Sequence, residues 1–464
     1  MDHARRIRIV DPADGVEVGS VEIAGAAEVD QAVQVATKAA QAWARTAPAE
    51  RGGFLHSVAD RLASEAVTLA AMTTRERGKP LADARGGVEA AVGALRQYAE
   101  LGPVHRGHSL QGGWEATDLM VFEPRGVVAV ITPWNDPVAV PCGLLGAALV
   151  TGNAVVFKPS ERSPHTGMIL ADLMADVLPP GVLSVVLGDG STGAALAGHE
   201  GVDLVAHVGS TAAGRAIAEA AARTGAAVLL GNGGKDSLLV DADVDPYWAA
   251  EEAALGAFAN AGQICTSVER IYVAEAVADE FLEALVLRAR ELVMGPGLAP
   301  QSQLGPLVDQ RLRATVHEQV SEAVVRGATL LAGGVVPDGP GAFYPATVLS
   351  DCTPAMRVMR EETFGPVAPV MVVPDFGAGL EAARGGSYGL AAVVLTGSMA
   401  HAQRAWRELP VGTVKINAVF GGAPGGAAQP RGASGSGFGY GPELLDEMTT
   451  TKVVHIATPP SHGR

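Results

Sequence analysis

Cys265 is the residue with the clearest chemical potential, and it lies in the segment FANAGQICTSVER. It follows a glycine turn where a helical pattern ends, and its neighbours Gln263, Thr266 and Ser267 are polar. A thiolate there would attack an uncharged aldehyde carbonyl, and the resulting thiohemiacetal could release hydride. The alternative is that Cys265 is a small buried hydrophobic residue, as most free cysteines are.

Asn135 is the second candidate, and it closes a strand pattern in the segment VITPWNDP. An amide N–H at the carboxyl end of a strand can stabilise an oxyanion while a thiolate adds to a carbonyl. The alternative is an Asx-turn or a helix N-cap, which is the commoner role of Asn before a helix.

Three further segments have residues that suit a dinucleotide. In VVFKPSERSP, Lys158 and Glu161 offer a cation and a carboxylate to ribose hydroxyls. In HVGSTAAGR, a Gly-Ser turn precedes a helix, whose free N–H groups and dipole suit a pyrophosphate. In MREETFGPV, two adjacent carboxylates and a Phe could hold a ribose and brace a nicotinamide ring. Taken singly, the first segment could be two solvated surface charges, the second only a turn, and the third an ordinary surface turn.

The elements that must position these residues follow from the pattern of the chain. From Val121 onward, short β-branched runs alternate with helical segments, which predicts a parallel, doubly wound sheet. Such a sheet binds ligands at the carboxyl ends of its strands. A second α/β block runs from about Gly233 to Phe420, and the segment 421–442, dense in Gly, Ala, Ser and Pro, reads as a mobile loop. Strand patterns at Gln111–Phe122 and Thr449–Ile456 lack a partner in their own blocks, so we expect them to pair with another subunit.

Composition narrows the function classes. A formal net charge of −16 disfavours nucleic acid and membrane partners. The three cysteines, in no metal-like spacing, argue against a zinc site or a disulfide scaffold and favour a reducing cytoplasm. The opening residues lack a signal-peptide pattern, and the most apolar stretch, Val138–Val150, is too short to span a bilayer and predicts a buried helix.

Taken in order and spacing, these segments resemble the aldehyde dehydrogenase superfamily over nearly the whole chain. VDPADGVEVGSVEIAGAAEVDQAV resembles the family's N-terminal strand pair and first helix, and TTRERGKPLADAR its E-x-G-K-P segment. The resemblance implies oxidation of an aldehyde with NAD(P). It also implies nine site residues: the nucleophile Cys265, the oxyanion donor Asn135, and the cofactor contacts Trp134, Lys158, Glu161, Gly209, Ser210, Glu362 and Phe364.

The resemblance also implies an α/β fold with three parts. These are a Rossmann-like cofactor domain (1–110 and 124–232), a second α/β catalytic domain (233–425) and a small β oligomerisation arm (111–123 and 426–464). A homodimer or homotetramer is the expected assembly, and a small-molecule aldehyde the expected substrate. Glu161 would repel a 2′-phosphate, so NAD is the expected cofactor and NADP the alternative.

One segment departs from the family. Where the family has E-L-G-G-K, whose Glu is the general base for deacylation, this chain has LLGNGGKDS, with Gly231 at the place of that Glu. Another carboxylate could substitute, with Glu361, Asp136 and Glu443 as candidates. Otherwise the thioester could pass its acyl group to a thiol such as coenzyme A or to an amine, or the protein could be a cofactor-binding scaffold of low activity. Hydrolysis to a carboxylic acid is the leading hypothesis.

Overall fold

The computed structural model of the protein describes residues 5–421 and 426–459. Its helices are α1 (Ala26–Trp43), α2 (Pro48–Ser64), α3 (Ala66–Arg77), α4 (Leu81–Leu101), α5 (Ala139–Val150), α6 (Pro164–Ala175), α7 (Gly190–Ala197), α8 (Thr211–Thr224), α9 (Pro246–Phe258), α10 (Ala278–Glu291), α11 (Gln310–Val325), α12 (Phe376–Ala383), α13 (Met399–Glu408) and α14 (Leu444–Glu447). Its strands are β1 (Arg6–Val10), β2 (Glu17–Glu22), β3 (His108–Leu110), β4 (Ala116–Pro124), β5 (Val127–Ile131), β6 (Ala154–Lys158), β7 (Leu183–Val185), β8 (Leu204–Val208), β9 (Ala227–Gly231), β10 (Asp236–Val240), β11 (Val268–Ala274), β12 (Thr329–Ala332), β13 (Thr347–Ser350), β14 (Val367–Val373), β15 (Tyr388–Gly389), β16 (Ala391–Leu395), β17 (Thr413–Ile416), β18 (Arg431–Gly432), β19 (Gly435–Ser436) and β20 (Thr449–Ala457).

The first sheet has the strand order β19-β9-β8-β5-β6-β7, and its strands from β9 to β7 are parallel. Strand β5 is buried on both faces: Val128 and Val130 pack in one core cluster, and Val127 and Ile131 in another. Helices cover both faces, which explains why β5 and β6 are continuous apolar runs. Strands β6 and β7 lie on one side of β5, and β8 and β9 lie on the other, so the strand order switches between β5 and β8. Doubly wound sheets bind ligands at such a switch point.

The second sheet has the order β12-β13-β14-β11-β10-β16-β17 and is parallel except for the β12–β13 pair. Strands β10, β11, β13 and β16 are wholly buried, and their side chains belong to a single core cluster with α9, α10 and α12. Only four residues separate the end of β9 from the start of β10, so the carboxyl edge of the first sheet faces the amino edge of the second. The predicted α/β fold with two α/β blocks is confirmed.

A third, three-stranded sheet has β4 at its centre. Strand β20 pairs with β4 along its whole length, from Thr449 opposite Pro124 to Ala457 opposite Ala116. The expectation that these two segments need another subunit as a partner is therefore wrong, because they pair with each other across more than 300 positions of sequence. A hairpin joins β3 and β4, and its first strand, His108–Leu110, lies before the strand pattern at Gln111–Phe122.

The Gly-rich segment 421–442 is not only a loop, which corrects the prediction from composition. Residues 422–425, where the predicted domain boundary at 425 falls, lie outside the described residues, as do 1–4 and 460–464 of the outer domain ranges. Further along, β18 pairs with β15, and β19 adds to the first sheet beside β9. Small side chains let this backbone approach the sheet closely.

The stretch Ala139–Val150 forms the predicted buried helix, α5. Within residues 5–421 and 426–459, no helix is both long enough and apolar enough to cross a membrane.

Candidate active site

A cavity of about 590 Å³ lies between the facing edges of the two large sheets. It brings together all nine site residues expected from the sequence: Trp134, Asn135, Lys158, Glu161, Gly209, Ser210, Cys265, Glu362 and Phe364. The first sheet contributes loops that follow strand ends, and the second contributes loops that precede strand starts.

Cys265 is held in the cavity by an unusual turn between α9 and β11. Asn260, Ala261 and Gly262 have left-handed backbones, with φ of 50°, 55° and 71°. Non-glycine residues in this region cost about 1–3 kcal/mol each and persist only where surrounding contacts enforce them. The side chain of Gln263 supplies such contacts, since it donates to the Asn260 carbonyl (3.0 Å) and accepts from the Val308 amide (2.9 Å).

Gly262 has a steric reason to be glycine, because a Cβ there would lie 2.1 Å from the carbonyl oxygen of Gly365. The turn therefore packs directly against the loop that carries Glu362 and Phe364. Burial raises the pKa of the Cys265 thiol to about 12, and the nearby carboxylates of Asp236 and Glu362 add to the effect. The resting side chain is a neutral thiol that must lose its proton when it attacks.

Asn135 is buried beside this turn, and its Nδ2 donates to the carbonyl oxygen of Gln263 at 3.1 Å. An amide has two N–H groups, so one remains for a ligand in the cavity. Asn135 is not the cap of α5, whose N-cap residue is Val138. Asp136 is the side chain near that helix start, accepting from the Ala139 amide at 3.4 Å.

The other end of the cavity carries the residues expected to bind a dinucleotide. Lys158 ends β6, is 3% exposed, and lies 3.6 Å from the Glu161 carboxylate. Burial lowers the pKa of Lys158, and Glu161 opposes that shift. Ser210 is the N-cap of α8 and accepts from the Ala213 amide at 3.2 Å. Gly209 therefore stands directly before the electropositive start of a helix.

These residues fit a polar cofactor for a further reason. Thr132 Oγ1 and His207 Nε2 are buried, line the cavity, and have no hydrogen-bond partner among the described residues. Burial lowers the pKa of His207 to about 4, so its ring is neutral at pH 7. Two buried polar atoms without partners at a cavity wall are expected where a polar ligand binds.

Trp134 and Phe364 meet edge to face, with ring centroids 5.4 Å apart. Sequence reasoning missed Arg77, whose guanidinium lies 4.2 Å from the Trp134 ring and donates to the Trp134 carbonyl. Arg77 is fully buried, and burial lowers its pKa to about 9. Arg77 is the last residue of α3 and stands among other charged residues in TTRERGKP, so its sequence neighbours did not set it apart.

A buried ion pair supports the Glu362 loop from below, and it too was missed. Lys235 donates to the Glu269 carboxylate (2.8 Å) and to the Thr363 hydroxyl (2.9 Å). Glu269 also accepts from the amides of Thr363 and Phe364, both at 2.8 Å. The available signal was a charged residue directly before one buried strand, Lys235 before β10, and another within the next, Glu269 in β11.

Gly231 lines the cavity at the end of β9 and presents no carboxylate there. The three substitute bases suggested by the sequence lie elsewhere. Glu361 pairs with Arg357 at 3.0 Å, Asp136 pairs with Lys79 at 3.4 Å, and Glu443 lines a separate cavity of about 310 Å³. The geometry therefore favours none of them.

Comparisons with known proteins decide the family. The model named "Aldehyde dehydrogenase family" matches residues 1–454. The chain is 38% identical over 462 residues to 3,6-anhydro-alpha-L-galactose dehydrogenase of Streptomyces coelicolor, covering 97% of this chain and 92% of that one. It is 37% identical over 420 residues to alpha-ketoglutarate semialdehyde dehydrogenase of Haloferax volcanii, covering 88% and 86%. The chain belongs to the aldehyde dehydrogenase family.

A solved structure agrees with this assignment. PnpE in complex with nicotinamide adenine dinucleotide superposes with a TM-score of 0.95 at 33% identity, covering 98% of this chain and 94% of that one. The protein is an NAD(P)-dependent aldehyde dehydrogenase, so the family, the reaction class and the cofactor class predicted from the sequence are confirmed. Nothing in the comparisons favours the acyl-transfer or scaffold hypotheses over oxidation.

Proposed function

We propose that this aldehyde dehydrogenase oxidises an aldehyde to a carboxylic acid through a covalent intermediate on Cys265, with water as the final acyl acceptor. The observation that carries the proposal is the contact between Asn135 and the Cys265 turn. The Asn135 amide donates to the carbonyl of Gln263, two residues before the thiol, so the oxyanion donor and the nucleophile are fixed to one another. Such pre-organisation of a donor is a major source of rate enhancement in acyl chemistry.

The residues would act in sequence. The Cys265 sulfur forms a bond to the aldehyde carbon as its proton passes to solvent water, and the free N–H of Asn135 stabilises the oxyanion that develops. A dinucleotide, when bound, would supply the hydride acceptor that oxidation of the aldehyde carbon requires. Trp134 and Phe364 enclose the reacting end of the cavity, while Lys158, Glu161 and the start of α8 would hold the ribose and pyrophosphate.

We propose NAD as the preferred cofactor. Glu161 would accept hydrogen bonds from a free ribose hydroxyl and repel a 2′-phosphate. Arg162, whose charge would weaken that preference, pairs with Asp309 at 2.9 Å and lies 5.3 Å from the Trp134 ring. It is therefore engaged away from Glu161.

A screen of aldehydes tests the reaction and the acyl acceptor together. Each aldehyde is incubated with NAD or NADP, with and without coenzyme A, and the product is identified by mass spectrometry. We expect the free acid in all cases. A coenzyme A thioester as the main product would contradict water as the acceptor, and no reduction of either cofactor by any aldehyde would contradict the reaction itself.

We further propose three functional units with the ranges predicted above, a homodimer or homotetramer, and a cytoplasmic location. The contents of each sheet support the units, except that β19, in the range of the arm, pairs with the first sheet.

The proposed assembly is supported by exposed apolar side chains in or beside the sheet formed by β3, β4 and β20. They are Val453, Ile456 and Trp114, which are 69%, 57% and 101% exposed, as expected of an apolar surface that is covered in an assembly. The three free cysteines suit a reducing compartment. Light scattering on the purified protein tests the assembly, and a monomer would contradict it.

A further inference from the structure

Two carboxylates line the active-site cavity within the part of the chain that the structure describes, and they differ in their relation to Cys265. Glu161 pairs with Lys158 and does not influence the thiol. Glu362 acts on Cys265 electrostatically, as does Asp236. Asp236 does not line the cavity: it is buried behind the site, where burial raises its pKa well above the ordinary value and its Oδ1 accepts from the Ala391 amide at 3.0 Å. Glu362 is thus the carboxylate that a water molecule at a Cys265 thioester would meet.

Consecutive glycines bring Glu362 and Cys265 together. The Glu362 carboxylate accepts from the Gly234 amide at 3.1 Å and fills the space where a side chain at Gly233 would stand, with the ideal Cβ position 2.3 Å from Oε1. The corresponding Cβ position at Gly234 lies 2.6 Å from the Cys265 carbonyl oxygen. Glu362 and Cys265 therefore both contact the backbone of Gly233 and Gly234, and the Glu362 carboxylate occupies the space that a side chain at Gly233 would fill.

The loop that carries Glu362 is held on both sides. The Glu269 carboxylate accepts from the amides of Thr363 and Phe364, the two residues that follow Glu362. On the other side, Gln319 donates to the Glu362 carbonyl at 3.1 Å. Phe364 has a left-handed backbone with φ of 53°, which these contacts enforce. A general base must be held within reach of the proton that it takes, and this loop satisfies that requirement.

The charges around Glu362 suit proton transfer near neutral pH. The groups that face it are Glu269 and Lys235 below, Cys265 beside it, and Tyr388 from β15. Burial and then the charge of Glu269 raise the pKa of Glu362 to about 7, while Lys235 opposes the shift. A base with a pKa near the working pH is the most effective.

We propose that Glu362 is the general base for hydrolysis of the Cys265 thioester, in place of the carboxylate that Gly231 lacks; this rests on the proposed function. Glu362 takes a proton from water as the water oxygen bonds to the thioester carbon, and Asn135 stabilises the oxyanion. The C–S bond then breaks, the carboxylic acid leaves, and the proton on Glu362 returns to the Cys265 thiolate. Thioester and water thus give acid and thiol, with no other reactant.

The test needs neither the aldehyde nor the cofactor. 4-Nitrophenyl acetate acetylates thiols directly, so the protein is first acetylated with it and then freed of reagent. Intact mass then measures the rate at which the acetyl group is lost, in a series of buffers from about pH 5 to about pH 9. In the wild type, we expect the rate constant to rise through about pH 7 and then level off. In Glu362→Gln, we expect the rate constant to be at least about 10²-fold lower and to show no step near pH 7.

Glu361→Gln is the matched control, because its carboxylate neighbours Glu362 in sequence but pairs with Arg357 outside the cavity. We expect it to lose acetyl at the wild-type rate. Glu362→Asp, which keeps the carboxylate, should retain the pH step, and it also guards against a misfolded Gln variant. A wild-type rate and pH profile in Glu362→Gln would overturn the proposal, as would a pH step lost equally in Glu361→Gln.

Gly231→Glu offers a rescue. The backbone of Gly231 has no left-handed φ, and a Cβ there would lie 3.1 Å from Val208 Cγ2, so a small shift of Val208 admits a side chain. We expect Gly231→Glu combined with Glu362→Gln to recover much of the lost rate. An acetyl group that appears equally in wild type and Cys265→Ala would instead refute the nucleophile, and failure of every aldehyde with an intact acetyl assay would refute only the oxidation.

Discussion

The two sheets supply opposite edges to one cavity, and they supply different kinds of chemistry. The first sheet offers the loops that follow β5, β6 and β8, with an amide, a cation and a helix start, all groups that bind and orient. The second sheet offers Cys265 before β11 and Glu362 before β14, the groups we propose to make and break bonds. The rule that ligands bind at carboxyl ends of parallel strands therefore describes the binding half of this site and not the reactive half.

The two edges also differ in backbone strain. The first sheet uses regular strand, turn and helix connections, in which Ser210 is an ordinary N-cap. In the described residues, every non-glycine residue with a left-handed backbone lies in the second block, and three of them, Asn260, Ala261 and Phe364, stand at the site. Strain of this kind is stored where surrounding contacts fix a reactive group. Changes at the second edge should therefore affect chemistry, and changes at the first should affect binding, except at Asn135, which donates to the turn that carries Cys265.

The largest effect is expected at the second edge, from Cys265→Ala. It should lower kcat by about 10⁴-fold or more, because the covalent step has no other nucleophile, while cofactor affinity stays intact. Cys142→Ala and Cys352→Ala are the controls, since both thiols are buried in the cores away from the cavity. Steady-state kinetics and cofactor titration measure this, and substantial turnover by Cys265→Ala would contradict the assignment.

Asn135→Ala tests the group of the first edge that reaches across to the second. Loss of one oxyanion donor should lower kcat by about 10²–10³-fold with little change in the KM for NAD. A change confined to the KM for NAD would place Asn135 among the binding residues instead. Thermal unfolding of the variant checks that loss of its bond to Gln263 has not loosened the turn.

Glu161→Gln tests the binding edge alone. Removing the negative charge should shift the ratio of kcat/KM for NAD over NADP toward NADP by about tenfold and leave kcat with NAD nearly unchanged. Glu200→Gln, on the surface, is the matched charge control. An unchanged ratio would show that Glu161 does not meet the ribose.

The sequence predicted the parts of this molecule that depend on local pattern. The alternating runs gave the α/β fold, and the motifs gave residues that share one cavity. Contacts between distant segments were not predictable in this way. Lys235 and Glu269 are 34 positions apart and meet only because β10 and β11 pair in parallel, and β20 reaches β4 across the whole domain. A base that approaches from β14 to replace one missing from β9 is the same kind of long-range effect.

The smallest expected effect is the contribution of Glu362 to the pH dependence of the protein's free energy of unfolding. The pKa of Glu362 is raised from an ordinary value of 4.5 to about 7, so between these pH values the folded protein binds more protons than the unfolded chain. The free energy of unfolding contributed by this group therefore falls as pH rises through that window. Glu362→Gln removes the penalty because its neutral amide oxygen can still accept from the Gly234 amide.

The variant should therefore match the wild type near pH 4.5 and melt about 1–2 °C higher near pH 8. Glu361→Gln should show no such trend, because Glu361 lies on the surface beside Arg357. Differential scanning fluorimetry across the pH range measures both. If the difference in melting temperature between Glu362→Gln and wild type did not change with pH, Glu362 would be ionised throughout. The pKa of Glu362 would then not be raised in the folded protein, and the acetyl assay should show no step near pH 7.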